Sequence, residues 1–294
     1  MNQAHRLRVG SFNIKVGVDS SLRRIASDLY SLHLDLCAYQ EIARDWSLGT
    51  SIDQVSYLAT CQAHSKAVFF PLLKRDWCLD PYRGGPFHFD DFSFPSAQKF
   101  ISPVDKQPNK LEDLGLHTNG DGKAHHIESA GVGAAGYYGI GLSANGSLTE
   151  KQFLLLSKEV DEQRGAFVAK WLPKANSKIR PLLVVNVHLS TDHKEREVQA
   201  YQLSMFLKQE KGPILLLGDL NDEPHSKTLQ ILCSEGGLEN LSPPQLLEQF
   251  TFSVKKPHQR LDYILGKGVS CLNYMIDTTI QSSDHFPIWA DITW

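Results

Sequence analysis

Acidic, amide and imidazole side chains follow the apolar runs of this 294-residue sequence, where they could bind a metal ion or move protons. The run at 214–217 reads ILLL and leads into Asp219 and Asn221. Ligand sites in α/β proteins gather where strands end, because each strand delivers its last side chains to a loop. The same arrangement recurs along the chain. The residues placed in this way are Asn13, Gln40, Glu41, Asn186, His188, Asp219, Asn221, Asp262, Asp284 and His285.

The number of these residues favours one shared site over separate packing roles. A single polar side chain at a strand end is usually a satisfied core or capping group. Several carboxylates buried together raise each other's pKa and are costly without a cation. The candidate ligands are oxygen donors, and the cysteines form no cluster. We therefore expect Mg²⁺, with Mn²⁺ as a substitute, rather than Zn²⁺.

The composition is typical of a soluble globular protein. Hydrophobic residues make up 41% of the chain, charged residues 21%, and the formal net charge is −3. Proteins that hold nucleic acid across a broad face are usually basic, so this balance argues against such a face. The scattered cysteines, five in number, are predicted to be free thiols in a reducing compartment. No apolar signal core or membrane-spanning stretch is present, and we expect a cytoplasmic protein. The sequence predicts no particular oligomeric state.

Strand-like and helix-like segments alternate along the chain. Strands this apolar, with amphipathic helices between them, favour sheets covered by helices. Helices are predicted after Ser21, over 51–64 and over 195–210. In the third helix, Val198, Tyr201, Met205 and Phe206 are predicted to form the buried face. The predicted strands are 6–14, 34–41, 67–73, 166–172, 181–190, 213–221, 261–266 and 287–294.

Residues 74–136 interrupt this pattern with a stretch rich in Pro, Gly, Asp and His. A segment of this length inside a domain is often functional. We interpret it as an inserted hairpin or Ω-loop packed on the domain, the alternative being a lid or a stacking platform for a base, sugar or lipid. GVGAAG at 131–136 matches a dinucleotide-binding pattern, but no helical segment follows it, which indicates a loop.

Seven stretches, taken in order, resemble the endonuclease/exonuclease/phosphatase superfamily of metal-dependent phosphoesterases. They run from residue 11 almost to the C-terminus and leave out the 74–136 segment. Neither G-D-L-N nor S-D-H-x-P is specific alone, whereas the ordered set is. The stretches are SFNI (11–14), AYQEI (38–42), QRGAFVA (163–169), VNVHLS (185–190), LLLGDLNDEP (215–224), TFSVKKPHQRLDYIL (251–265) and SSDHFP (282–287).

The resemblance implies a fold and a set of roles. The fold is an α/β two-sheet sandwich flanked by helices, a single domain over 1–294 with the 74–136 segment inserted and the active site at one end of the sheets. Glu41 would bind the metal ion, with Asn13 and Asp284 as further ligands. His285 would be the catalytic histidine, oriented by Asp262. The remaining implied roles are positioning of water and phosphate oxygens by Asp219 and Asn221, and contact with the scissile phosphate by Asn186 and His188.

The predicted reaction is hydrolysis of a phosphodiester or phosphomonoester by in-line attack of water. Because the chain is slightly acidic, we favour a small molecule, a lipid headgroup or a nucleotide as the substrate. The sequence leaves open whether Asp219 or His285 takes the proton from water.

Two other functions remain in view. A nuclease acting on DNA or RNA is the nearer alternative, since Lys255, Lys256, His258 and Arg260 form a basic cluster in sequence beside the site. Ile14 and Lys15 follow Asn13, rather than the Asn-Gly seen in abasic-site endonucleases, which argues against DNA repair. The stretch GLSANGS lacks the arginine that many relatives carry there. The second alternative is a non-catalytic module that binds a phosphate ligand, against which the completeness of the site argues.

Overall fold

The computed structural model describes residues 6–44, 53–75, 136–173 and 179–294. Most of the predicted insertion, including most of GVGAAG, lies outside the described residues. Residues 74 and 75 belong to one strand and residue 136 begins the next. These two strands pair antiparallel, with Arg75 opposite Gly136, so the chain leaves and re-enters the sheet at neighbouring positions.

The described strands form two sheets of six, which confirms the predicted α/β sandwich. The strands are β1 Leu7–Asn13, β2 Leu36–Arg44, β3 Lys66–Arg75, β4 Gly136–Ala144, β5 Ser147–Leu155, β6 Gly165–Leu172, β7 Leu182–His188, β8 Ile214–Asp219, β9 Glu239–Asn240, β10 Asp262–Lys267, β11 Ser270–Ile276 and β12 Ile288–Thr293. The first sheet has the strand order β11-β12-β1-β2-β4-β3, and the second sheet has the strand order β5-β6-β7-β8-β10-β9.

Four helices cover the outer faces of the described sandwich. The predicted cap Ser21 accepts a hydrogen bond from the Arg24 backbone N–H and begins the first helix. Asp192 begins the third by accepting from two backbone N–H groups. The third helix, at 17 residues, is the longest in the described part of the chain, where no helix has the length and hydropathy to cross a membrane. The helices are α1 Leu22–Ser31, α2 Gln54–Cys61, α3 His193–Gln209 and α4 Lys227–Ser234.

The core has three layers. Residues such as Ile140, Phe167 and Leu217 fill the space between the two sheets. A second cluster packs α1 and α2 against the outer face of the first sheet, and a third packs α3 and α4 against the outer face of the second. Both faces of each sheet are thus buried, which explains why strands such as β7 and β8 are apolar without alternation.

The predicted buried face of α3 is wrong for three of its four residues. Val198, Tyr201 and Met205 are 49%, 52% and 39% exposed, and only Phe206 is buried. The helix instead buries a face that includes two glutamines, Gln199 and Gln202, whose side chains bond the backbone of Ser157. Apolar periodicity does not predict such a face, because the buried residues are polar amides that hydrogen-bond to the backbone of a loop.

Asn186 on β7 joins the two sheets near one end. Its side-chain N–H group donates to the carbonyl oxygens of Tyr39 and Gly141 in the first sheet, at 3.0 and 2.6 Å. Its oxygen accepts from Gln40 at 2.7 Å. The pairing of β2 with β4 shifts register just after Tyr39, and Glu41 in this irregular stretch has a φ of 50°. The amide therefore fixes the sheets to each other beside the irregularity that places Glu41.

We expect Asn186→Ala to lower the free energy of unfolding by about 2 kcal/mol or more, because it leaves two buried carbonyls and a buried amide without this partner. Urea denaturation with linear extrapolation measures the change. Asn273→Ala on the exposed face of the edge strand β11 is the matched control, with an expected change of about 0.5 kcal/mol or less. Equal losses in the two variants would contradict the bridging role.

Candidate active site

Both sheets deliver polar side chains to the same end of the sandwich. β7 and β8 run parallel with His188 opposite Asp219, and β10 runs antiparallel with Asp262 opposite Asp219. In the first sheet, Asn13 ends β1 beside Gln40 of β2. Gly218 allows the close approach of β7 and β8, since a Cβ there would overlap the carbonyl oxygen of Val187. The strand registers therefore gather most of the residues singled out from the sequence.

Asp219 lies at the centre of this group and is 1% exposed. Its Oδ2 accepts from the Asn13 side chain at 3.0 Å, and its Oδ1 accepts from the backbone N–H of Asn221 at 2.9 Å. The Nε2 atoms of His188 and His285 lie 3.6 and 3.7 Å from Oδ2. One carboxylate oxygen thus faces an amide and two imidazoles.

His285 and Asp262 form a buried ion pair. Nδ1 of His285 lies 2.8 Å from Oδ2 of Asp262, and the ring of Phe252 packs 4.9 Å from the imidazole, centroid to centroid. Burial lowers the pKa of His285, but the charges of Asp262 and Asp219 outweigh it and raise the pKa to about 10. The imidazole is therefore a cation at neutral pH, and its Nε2–H points toward Asp219.

Asp219 is the counterpart of this cation. Burial, followed by the charge of Asp262, raises the pKa of Asp219 to about 7, while His285 and Asn13 act in the opposite direction. A carboxyl that ionises near neutrality is suited to accept a proton from water.

Glu41 reaches this group through Asn13. The Asn13 side chain donates to Oε1 of Glu41 at 3.0 Å and to Asp219, so one amide links a carboxylate of each sheet. Asp284, the third predicted metal ligand, instead lies 2.8 Å from the ammonium of Lys15. Its charge is compensated by a lysine rather than shared with Glu41.

Two further predicted residues hold the site together from within. Asn186 is fully buried, and its amide is occupied by the inter-sheet bonds described above. These bonds brace the two sheets, and the contact with the scissile phosphate stays a prediction. Asn221 has a φ of 52° and donates to the carbonyl of Leu189, which ties the loop after β8 to the loop after β7.

Arg164 belongs to the same group of side chains but was not predicted from the sequence. It directly precedes β6 and is 4% exposed. Its Nη1 lies 2.9 Å from Nδ1 and 3.0 Å from Nε2 of His188. It also pairs with Glu162 and Asp161. The stretch QRGAFVA resembles the superfamily, but the resemblance gave its arginine no role. A charged side chain at the start of a buried strand is the sequence feature that could have indicated a site residue here.

The predicted basic cluster divides in two. Lys255, Lys256 and His258 are exposed on the loop that begins at Phe252, beside His285. Arg260 is 1% exposed; it donates to the Leu246 carbonyl and stacks over aromatic rings in the core. Sequence proximity placed it with the exposed cations, but its aliphatic stem and planar head suit a buried position.

The chemistry of the donors fits a divalent cation bound by oxygen. Glu41, Glu162, Asp219 and Asp262 bring four carboxyl groups to one region, and burial followed by Glu41 and Asp161 against Arg164 raises the pKa of Glu162 to about 7. Oδ1 of Asp262 is buried without a hydrogen-bond partner among the described residues. Surplus negative charge of this kind is what a hard cation stabilises.

Among the described residues, the group with three potential ligand atoms within 4.8 Å of one another is Asp219, Asp262 and His285. This group differs from the predicted ligands Asn13, Glu41 and Asp284. The charges of Asp262 and Asp219 favour a protonated His285 in the metal-free protein, and Nδ1 is already bonded to Asp262 at 2.8 Å, so this group is a poor cation site. The carboxylate side of the site, at Glu41 and Asn13, is the better candidate.

A family model described as the Endonuclease/Exonuclease/phosphatase family matches residues 10–285. The comparison with curated proteins found no match.

Three solved structures illustrate the similarity of the fold. An endonuclease/exonuclease/phosphatase from Beutenbergia cavernae aligns over 99% of this chain and 72% of its own, with 17% identity and a TM-score of 0.64. A mannosyl-6-phosphatase from Bacteroides thetaiotaomicron aligns over 98% and 100%, with 14% identity and a TM-score of 0.61. The human Nocturnin catalytic domain with bound sulfate aligns over 100% and 96%, with 16% identity and a TM-score of 0.60.

The family model spans nearly the whole chain. The matched residues include Asn13, Glu41, Asp219 and His285, which lie together in the structure. The chain therefore belongs to the endonuclease/exonuclease/phosphatase family.

Proposed function

We propose that this protein is a Mg²⁺-dependent phosphoesterase that hydrolyses a phosphodiester or phosphomonoester by in-line attack of water. The observation that carries the proposal is the buried cation His285, held by Asp262 and directed at the carboxylate of Asp219. Family membership supports a phosphoester hydrolase in general. The arrangement of this chain's residues supports the assignment of roles.

Glu41 and Asn13 would hold the metal ion, with Mn²⁺ as a substitute for Mg²⁺. When bound, the ion supplies positive charge to the phosphoryl oxygens. Asp284 was predicted as a further ligand, but Lys15 already compensates its charge, so we assign it to holding that lysine.

Asp219 and His285 divide the proton chemistry. Asp219, whose pKa is raised to about 7, takes the proton from the attacking water. His285 stays protonated, because its pKa is raised to about 10, and donates a hydrogen bond to a phosphoryl oxygen as negative charge develops. His188, on the strand β7 that neighbours β8, contributes a second hydrogen-bond donor. Asn221 holds the loop after β8 against the loop after β7 by donating to the carbonyl of Leu189.

A small molecule, a lipid headgroup or a nucleotide is the favoured substrate. A nuclease remains the second candidate, because Lys255, Lys256 and His258 are exposed on the loop whose Phe252 packs against His285. A non-catalytic phosphate-binding module is the third. It leaves unexplained why a carboxylate and an imidazolium are buried within 3.7 Å of each other.

We expect His285→Ala to lower chelator-sensitive turnover by about 100-fold or more, because it removes a positioned donor. Bis- and mono-nitrophenyl phosphates and plasmid DNA, each assayed with Mg²⁺ and then with EDTA, measure turnover and separate the phosphoesterase from the nuclease. His193→Ala, an exposed histidine at the start of α3, is the matched control and should retain wild-type activity. If the wild type shows no chelator-sensitive turnover of any phosphoester, the proposed function is wrong.

We expect Glu41→Gln to raise the Mg²⁺ concentration for half-maximal activity by about 10-fold or more, because it removes a charged ligand. Mg²⁺ titration by calorimetry and by turnover measures the change. Glu239→Gln, on the exposed side of β9, should leave the Mg²⁺ dependence unaltered. Unchanged Mg²⁺ affinity in Glu41→Gln would remove Glu41 from the metal site.

Because its pKa is raised in the folded protein, Asp219 lowers the free energy of unfolding when it is ionised. Between the ordinary carboxyl pKa of about 4 and the folded value of about 7, the native state holds a proton that the unfolded chain has released. Stability therefore falls as the pH rises through this window, and the cost is complete above it.

We expect Asp219→Asn to abolish turnover and to raise the Tm of the metal-free protein at pH 8 by about 2 °C or more, because it removes this cost. Thermal denaturation in EDTA between pH 4 and 8 measures the effect. The Tm difference from wild type should be close to zero at pH 4 and grow up to neutral pH. A difference that does not depend on pH would contradict the charge arrangement.

A further inference from the structure

Arg164 contacts His188 from inside the protein rather than from the solvent side. Its Nη1 lies 2.9 Å from Nδ1 of the imidazole, and the two side chains are 5% and 4% exposed. Arg164 ends the loop before β6, whose first residue, Gly165, is opposite His188 in the sheet. The arginine is therefore fixed by the same strand pair that carries the histidine.

Two carboxylates already compensate the charge of Arg164. Its Nη1 lies 3.0 Å from Oε1 of Glu162, and its Nη2 lies 3.1 Å from Oδ2 of Asp161. A guanidinium paired in this way and closed off from solvent offers little charge to an incoming phosphate. Its contact with His188 therefore calls for a role other than anion binding.

The contact restricts the protonation state of the imidazole. A guanidinium has donors and no acceptor, and Nη1 of Arg164 lies 2.9 Å from Nδ1 and 3.0 Å from Nε2, so it contacts both ring nitrogens. A positive charge this close disfavours a second proton on the imidazole. Nε2 is the ring atom that faces Asp219, at 3.6 Å. Arg164 thus favours a neutral ring and fixes its position beside Asp219.

The carboxylate partner of Arg164 also holds the backbone after His188. Oδ2 of Asp161 accepts hydrogen bonds from the hydroxyl of Ser190 and from the backbone N–H and hydroxyl of Thr191. The pair of Arg164 and Asp161 therefore controls both the ring of His188 and the loop that follows it.

We propose that Arg164 is a positioning residue that holds the imidazole of His188 neutral and in place, so that His188 makes a hydrogen bond to the substrate and does not serve as an acid. The inference rests on the proposed phosphoesterase function. It assigns to the QRG stretch a part in the reaction through His188, with no contact to substrate.

The test combines kinetics with a spectroscopic measurement on the metal-bound, full-length protein. We expect Arg164→Met to lower kcat for the best nitrophenyl phosphate by about 100-fold, with a much smaller change in KM, because a misplaced donor is lost mainly in the transition state. Arg164→Lys keeps the charge but cannot reach both carboxylates and the imidazole together, and it should lose about 10-fold. If Arg164→Met does not fold, the kcat of Arg164→Lys still tests the role of Arg164.

Nitrogen-15 NMR of histidine-labelled protein reads the protonation state of His188 directly, with His188→Gln as the assignment reference. The wild type should show a neutral ring at every pH from 5 to 9, and Arg164→Met should show a ring that titrates in this range. This readout does not require turnover, so it still tests Arg164 if the wild type hydrolyses no phosphoester.

Arg8→Lys provides the matched control, because Arg8 pairs with the carboxylate of Asp291 at the opposite end of β1. Its kcat should stay within about twofold of wild type. Two results would overturn the proposal: wild-type kcat in both Arg164 variants, or a His188 ring in folded Arg164→Met that stays neutral from pH 5 to 9 as in wild type.

Discussion

Side-chain amides that cross between the sheets hold the site end of this protein together. Asn186 bonds the backbone of the first sheet, and Gln40 bonds Asn186 in return. Asn13 extends from the first sheet to Asp219 in the second. An apolar core between two sheets sets their spacing but is tolerant of sliding, because dispersion forces have no direction. Directional hydrogen bonds remove this freedom, so Glu41 and Asp219, which come from different sheets, keep a fixed relation.

The charges at this end are arranged in alternation. Asp262, His285, Asp219 and Asn13 follow one another, so each carboxylate faces a donor and the imidazolium lies between two anions. A second sequence, of Asp161, Arg164 and His188, approaches Asp219 from the other side. The same low dielectric that makes these contacts strong makes an unpaired member expensive. The region is consequently expected to be stiff and marginally stable in the absence of a cation.

Eight of the described strands and helices α1, α2 and α3 followed from the sequence, because apolar runs and helical periodicity carry positional information, whereas α4 and the two-residue strand β9 were not predicted. β5 and β11 escaped prediction as edge strands with many exposed residues, and β4 because glycines interrupt its apolar residues. The roles of Asn186 and Arg260 escaped prediction because each depends on partners distant in sequence. Residue type indicates what a side chain can do, whereas its partner decides what it does.

The position of the connection between β3 and β4 has a consequence for the length of chain that it can contain. Arg75 and Gly136 are paired in the sheet, so the ends of the connection are held together whatever its length. Closing a longer connection between fixed ends adds entropy cost only logarithmically. Arg44, which follows Glu41 on β2, is opposite Tyr137, the neighbour of Gly136 on β4. The paired residues Arg75 and Gly136 therefore lie beyond Glu41 along the direction of β2. Chain length can therefore be gained or lost next to the candidate site while the inter-sheet amides and the buried charges keep their places.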